Sequence, residues 1–290
     1  MTNQALQARR AAFRALHERG CFVLPNPWDV GSAVALAGLG FKALATTSSG
    51  HAWSCGQADG AMSRDQVLAH LRMLAGATDL PLNADFEDGF GVDPDAVHES
   101  VRMVLDTGLA GLSIEDASGD PRQPLRTLDD AVARLRAARA AIDRHAPDVM
   151  LVARAENFFV GRPDLDDTVT RLRAYANAGA DVLYAPGIRT PDQVRAVLAA
   201  ANGLPVNLLL GAPGSMPVSE AAALGVRRIS LGGSLARSAW AGFLEASRAI
   251  IEQGAFDAVA TAPTGAQLNA LFAHRTNDES TLVPQQDDRP

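Results

Sequence analysis

The chain is expected to be an α/β protein that folds as a (β/α)8 barrel, and three observations point there. Eight short apolar runs are spread along 290 residues, and helix-forming stretches separate most of them. A weak repeat recurs at Gly40-Phe-Lys-Ala-Leu-Ala45, Gly108-Leu-Ala-Gly-Leu-Ser113, Gly179-Ala-Asp-Val-Leu-Tyr184 and Gly225-Val-Arg-Arg-Ile-Ser230. In each, a glycine ends a helical stretch by taking the left-handed conformation, and an apolar run follows within two residues. The length also suits one barrel, which typically takes about 250 residues. No G-x-G-x-x-G follows the first strand, which counts against an open dinucleotide-binding sheet.

The elements follow in order. Residues 1–20 carry Arg9, Arg10, Arg14, Glu18 and Arg19 among alanines and leucines. They read as an amphipathic helix without the apolar core of a secretory signal. The strands are expected at Cys21–Leu24, Ala43–Thr47, Leu82–Asp85, Gly111–Glu115, Met150–Arg154, Val182–Ala185, Val206–Leu210 and Arg228–Leu231. Each is short and apolar on both faces, as a buried parallel strand should be. Leu125–Ile142 and Leu165–Ala178 read as helices, and so does the long stretch Ser234–Ile251. A Thr-Ala-Pro-Thr-Gly break precedes a last apolar segment, Leu268–Phe272. Residues 1–275 are expected to form a single barrel domain with its C-terminal helices. The polar tail, 276–290, is expected to be disordered.

Composition excludes several function classes. Net charge −7 and a pI near 5.4 speak against a general nucleic-acid binder. They leave room for an anionic substrate where a metal and arginines reverse the sign locally. No stretch approaches the roughly 20 apolar residues of a membrane span. Cys21 and Cys55 are the two cysteines, too few for a disulfide framework or a cysteine-rich zinc site. A reducing cytoplasm is the expected location. His51, His98, His145 and His274 have no metal-ligand spacing; His98 and His145 read as surface positions on helices. Cys55 reads as a bystander thiol and Cys21 as buried.

Barrel active sites stand at the C-terminal ends of the strands. The residues there are Pro25-Asn26-Pro27-Trp28-Asp29, Thr46-Thr47-Ser48-Ser49-Gly50-His51, Asp85 with Glu87 and Asp88, Glu115-Asp116, Arg154-Ala-Glu156-Asn157, Asn207 and Gly232-Gly233-Ser234. Three carboxylates within four residues repel one another unless a cation sits between them. Oxygen donors without nearby Cys or paired His favour a hard ion, magnesium before zinc. The alternative is that these acids are helix caps and loop residues sharing no ion. Arg154 would clamp a carboxylate or phosphonate in its fork, or else only bridge to Glu115 or Glu156 at the rim. Ser48-Ser49-Gly50 could turn backbone N–H groups toward a developing oxyanion, or be a plain loop. Trp28 and Asn207 are further candidate substrate contacts.

Asn26-Pro-Trp-Asp-Val-Gly-Ser32, Ala45-Thr-Thr-Ser-Ser-Gly50, Gly56-Gln-Ala-Asp59, Asp85-Phe-Glu-Asp-Gly-Phe-Gly91, Ile114-Glu-Asp116 and Val152-Ala-Arg154 stand in a specific order and spacing. By these segments the chain resembles the isocitrate lyase/phosphoenolpyruvate mutase superfamily from about Asn26 to Leu235. The resemblance implies a modified TIM barrel, with a C-terminal helix exchanged between subunits of a homodimer or homotetramer. The stretch after Gly233 would be that helix. It also implies Mg2+, with Mn2+ as an alternative, held by acids at Asp59, Asp85, Glu87 and Glu115. Ser48, Ser49 and Gly50 would then donate to the substrate and Arg154 bind its charged end. Asp59, Glu115 and Arg154 are the implied catalytic residues.

The loop after the fourth strand, Asp116-Ala-Ser-Gly-Asp-Pro-Arg-Gln-Pro-Leu125, departs from the pattern. It lacks the Cys and His of isocitrate and methylisocitrate lyases and the Lys and Asn of the phosphonate enzymes. Ala185-Pro186-Gly187 stands where methylisocitrate lyases place a glutamate. The expected function is a Mg-dependent lyase that cleaves a C–C bond of a small 2-oxo or 2-hydroxy acid through a metal-stabilised enolate. It is isocitrate or methylisocitrate lyase-like, or oxaloacetate decarboxylase-like, with a water on Asp59 or Asp88 as proton source. The alternatives are a P–C hydrolase or mutase acting on phosphonopyruvate and a non-catalytic 2-oxo acid binder.

Overall fold

A computed structural model describes residues 2–273 of the chain. The expected disordered tail, 276–290, and His274 lie outside them. Eight parallel strands form one sheet: β1 Phe22–Leu24, β2 Leu44–Ala45, β3 Leu82–Asp85, β4 Gly111–Glu115, β5 Met150–Arg154, β6 Val182–Tyr184, β7 Val206–Leu209 and β8 Arg228–Ser230. Their order is β1-β8-β7-β6-β5-β4-β3-β2. Between the two end strands, the Ala45 amide donates to the Pro25 carbonyl at 3.0 Å. The result is the expected (β/α)8 barrel, nearly closed.

The helices are α1 Asn3–Leu16, α2 Val30–Gly38, α3 Ser48–Ser54, α4 Arg64–Ala75, α5 Pro94–Leu105, α6 Leu128–His145, α7 Leu165–Asn177, α8 Pro191–Ala201, α9 Val218–Leu224, α10 Ser234–Gln253 and α11 Gly265–Ala273. Local chemistry sets their ends. Ser63 with Gln66, and Thr190 with Gln193, form capping boxes at α4 and α8. Two expectations shift. The second strand was expected to reach Thr47, but the Thr47 hydroxyl caps α3, so the chain turns helical at Ser48. The helix expected from Leu125 begins at Leu128, because Leu125 pairs with Ala117 and Thr127 is the cap.

Strand alternation sorts the side chains into two cores. Leu112, Ile114, Leu151, Ala153, Leu183, Leu208 and Ile229 face outward, in the core that also takes helix residues. Leu24, Ala43, Ala45, Met150, Val152, Val182 and Tyr184 face inward, and Phe13 of α1 is packed among them. Phe13 is fully buried and plugs the N-terminal mouth of the barrel. Gly111 is required beside it: a Cβ there would stand 2.8 Å from both the Phe13 ring and Asn83 Oδ1. Arg10 fastens α1 by donating Nε–H to the Leu109 carbonyl at 3.0 Å. Cys21, expected buried, is half-buried, and Cys55 is exposed; both are free thiols.

The chain divides into two compact units, Met1–Arg237 and one that starts at Ser238. The barrel belongs to the first. In the second, the helical residues Trp240, Phe243, Leu244, Ile250 and Ile251 are exposed. Among the described residues, no helix is long and apolar enough to cross a membrane.

Removing the plug tests the packing. Phe13→Ala is expected to lower stability by about 3–5 kcal/mol, as large-to-small changes in closed cores do. Leu39→Ala, at an exposed position, should stay within about 0.5 kcal/mol. Urea unfolding of both variants checks this.

Candidate active site

The site is built from the C-terminal ends of β2 to β5. Asp85 ends β3 and points inward. Its Oδ2 accepts the Ser48 N–H at 3.0 Å, and its Oδ1 accepts Arg154 Nη1–H at 2.7 Å. Its own N–H donates to Thr46 Oγ1 at 2.8 Å. The turn after it is strained, with Glu87 at φ 45° and Phe90 at φ 52°. Left-handed backbone at such side chains costs about 1–2 kcal/mol each. Two contacts hold it there: Glu115 N–H donates to the Glu87 carbonyl at 2.9 Å, and Phe90 N–H to Asp88 Oδ1 at 2.9 Å. Gly91 must lack a Cβ because the Val97 backbone fills that space.

Arg154 ends β5 and gathers the acids. Nη1 reaches Asp85 at 2.7 Å and Glu115 at 3.0 Å, and Nε reaches Glu156 at 2.9 Å. Its guanidinium carbon lies 5.2 Å from the centre of the Tyr184 ring. Both ion pairs considered from the sequence, to Glu115 and Glu156, are present, and Asp85 adds a third.

One guanidinium does not neutralise the cluster. Burial, and then the charges of Asp85, Asp59 and Asp88, push the Glu87 carboxyl up to about 8. Burial holds Glu115 well above the usual carboxyl range against the pull of Arg154. It raises Glu156 to about 7, again against Arg154. Asp59 lies on an exposed loop with its carboxylate end turned into the pocket. Burial of that end raises its pKa, and the Ser48 hydroxyl works the other way.

The donor set suits a hard cation: it is oxygen-only, and its mutual repulsion is of the kind a cation relieves. Among the described residues, no three acids converge on one point as ready metal ligands. The four acids that the resemblance names as metal ligands are thus not drawn into one ligand cluster.

A pocket of about 100 Å³ has Ser48, Ser49, Asp59, Asp85 and Arg154 in its lining, while Glu87 and Glu115, also expected as metal ligands, are not part of that lining. It shares Ser49, Asp59, Phe159 and Gly233 with a cavity of about 610 Å³. Ser48–Gly50, read as a loop, is the first turn of α3. Ser48 N–H is taken by Asp85, and Gly50 N–H by Thr47 Oγ1 at 3.4 Å. The Ser49 N–H, in a turn with no intrahelical acceptor, has no protein partner among the described residues.

Other candidates stand off the pocket. Gly50 is buried, and a Cβ on it would meet Trp28 Cβ at 3.0 Å and Thr47 Cγ2 at 2.7 Å. Trp28 is half-buried, and its carbonyl lies 3.0 Å from His70 Nε2. His51 and His70 stack at 3.6 Å near α3, while His145 is exposed and His98 half-buried. Asn207 is fully buried behind Arg228 and Ser230, hydrogen-bonded to both. Asp88 points away to Arg126 at 2.6 Å. Asp116 faces outward and accepts from Arg171, Tyr175 and the Glu156 amide. Arg122, the one cation of the loop 116–125, is exposed and paired with Asp120 at 3.1 Å. Tyr184, Arg228 and Ser230 line the pocket, and the sequence reading missed them. The available signal was polar residues at every second position of β8.

Residues 13–251 match the family model described as phosphoenolpyruvate phosphomutase. The chain belongs to the isocitrate lyase/phosphoenolpyruvate mutase superfamily. A crystal structure from Burkholderia cenocepacia J2315, of a protein provisionally described as a lyase/mutase, shares 47% identity at a TM-score of 0.89. That match covers 93% of this chain and 98% of that one. An uncharacterised Mycobacterium tuberculosis protein is 35% identical over 76% of this chain and 81% of its own. Oxaloacetate decarboxylase of Bradyrhizobium sp. (strain ORS 278) is 34% identical over 57% of this chain and 56% of its own.

The crowding of acids has a pH signature. Glu87 keeps its proton to about 8 in the folded chain, against an ordinary 4.5. Between these values the unfolded chain has released a proton that the folded chain holds. This contribution to stability is full below the lower value and is lost as pH rises toward the higher one. With chelator present, stability is expected to decline across that window, and Glu87→Gln to flatten the decline. Urea unfolding at several pH values checks it; an unchanged slope in the variant refutes the assignment.

Proposed function

We propose that the chain is a Mg-dependent lyase that breaks a C–C bond of a small 2-oxo or 2-hydroxy acid. The observation that carries this reading is the meeting of Asp59, Asp85 and Ser49, whose backbone N–H has no protein partner among the described residues, on one pocket of about 100 Å³. That volume suits an acid of a few carbons. The oxaloacetate decarboxylase relative supports the class.

Asp59, Asp85, Glu87 and Glu115 would hold magnesium, partly through water. When bound, the ion supplies electrophilic polarisation of the substrate's 2-oxygen. The chain's own residues do the rest. The Ser49 N–H faces the oxygen on which negative charge develops as the C–C bond breaks. Arg154 fixes Asp85, Glu115 and Glu156 in place. A water on Asp59 supplies the proton that the product carbon takes up; Asp88 is turned to Arg126 and drops out of that role. The loop 116–125 brings no Cys, His or Lys, so the chemistry that demands least of it, decarboxylation, is favoured. Homo-oligomerisation through α10 is part of the same reading, supported by its exposed Trp240, Phe243 and Ile251.

With magnesium and oxaloacetate, pyruvate release above the uncatalysed rate is expected, and a chelator should abolish it. Asp85→Ala, folded by circular dichroism, should lower kcat/KM by on the order of a hundredfold or more. Phosphate release from phosphonopyruvate in place of pyruvate would overturn the C–C reading. Light scattering after size exclusion is expected to give a dimer or tetramer, and Phe243→Asp with Ile251→Asp to shift it toward monomer.

A further inference from the structure

Every strand of the barrel sends alternate side chains inward, and β8 sends Arg228 and Ser230. Arg228 is 2% exposed, yet it lines the pocket. Its partners are neutral: Nε–H donates to Asn207 Oδ1 at 2.7 Å, and Nη1–H to Asn83 Oδ1 at 3.3 Å. Among the described residues, no carboxylate lies within ion-pair distance of it. The other deeply buried arginines differ. Arg10 has Asp148 at 2.9 Å, Arg134 has Asp130 at 3.1 Å, and Arg171 has Asp116 at 2.9 Å. Burying an unpaired charge is costly, so such groups are normally matched by a counter-charge. Arg154 cannot take over the role of anion receptor unaided, since three carboxylates already occupy it.

A second observation points the same way. Arg228 Nε can only donate, so Asn207 must turn its oxygen to it. The Asn207 amide NH2 then donates to Ser230 Oγ at 2.9 Å. Ser230 donates onward to Tyr184 Oη at 3.4 Å. The arginine fixes the orientation of the Asn207 amide, and the Ser230 hydroxyl points its donor toward Tyr184. The Tyr184 proton is left at the end of this series, without an acceptor among the described residues, on a residue that also lines the pocket.

We propose that Arg228 and the Tyr184 hydroxyl form the anion-binding floor of this pocket and take a substrate carboxylate that the product keeps. The retention follows from charge. A guanidinium stabilises a carboxylate as an anion and so opposes its departure as neutral carbon dioxide. The leaving group of the reaction is therefore a different part of the substrate. Asn83, Asn207 and Ser230 are positioning residues, which aim the two donors. The proposal deepens the lyase reading and rests on it for the ligand being a small carboxylic acid.

Pyruvate and its neutral amide, pyruvamide, are the probes, titrated by calorimetry or NMR with magnesium and with chelator. The wild type is expected to prefer pyruvate at least tenfold. Arg228→Met should abolish that preference, and Tyr184→Phe should reduce it severalfold. Arg228→Lys should retain part of it, which serves if the methionine variant does not fold. A wild type that binds both probes alike, or folded Arg228 and Tyr184 variants that keep the full preference, overturns the floor. The magnesium dependence is read separately from the same titrations. Its absence would sink the metal-lyase reading while an Arg228-dependent preference still supports the floor.

Discussion

The mouth of this barrel depends on one guanidinium held among carboxylates. Arg154 reaches Asp85, Glu115 and Glu156 at once, from the ends of β3 and β4 and from just beyond its own strand. Without it, neighbouring strand ends would present like charges side by side in a poorly solvated space. With it, their registers are tied together, and Glu115 sits directly across from Arg154 in the sheet. The remaining acids, Asp59 and Glu87, stay uncompensated and raised in pKa. The structural ion pairs and the capacity to attract a hard cation are thus two sides of one charge imbalance.

The imbalance is kept in place by strain and by small residues. The left-handed turn at Glu87 and Phe90 is held by hydrogen bonds to β4 and to Asp88, and by the close approach of Gly91 to Val97. Residues in rare backbone conformations cluster where function needs a fixed geometry. At the other end of the barrel, Phe13 and Gly111 set how far the interior is filled from below. Between plug and mouth lies a polar layer of Asn83, Asn207 and Arg228, unusual in a region that barrels normally fill with branched apolar residues.

Two arginines therefore divide the interior. Arg154 is matched by acids and organises the rim, while Arg228 is matched by amides and leaves a net positive charge below it. A small acid entering the pocket meets acidic groups on one side and a cation beneath. On the proposed reading, that arrangement would orient a molecule with a carboxylate at one end and a metal-chelating oxygen at the other.

The barrel was legible in the sequence because its signals are local. Glycine stops, capping residues and apolar runs of strand length depend on neighbours a few positions away, and seven of the eight strands lie within one residue of expectation at either end. The acids at Asp85 and Glu115 were legible for the same reason, as charges at the ends of apolar runs. What each polar residue faces was decided by the tertiary structure. Period-two alternation sends Glu115 inward and Asp116 out to Arg171 and Tyr175, though the two are adjacent in sequence. Asn207, expected as a substrate contact, is buried and hydrogen-bonded to Arg228 and Ser230 of the neighbouring β8. The one local sign at Arg228, its alternation with Ser230 in β8, says only that it faces inward. Its meaning comes from Asn207, its partner on the neighbouring β7, from Asn83 on β3 across the barrel interior, and from the absence of any acid within ion-pair reach among the described residues.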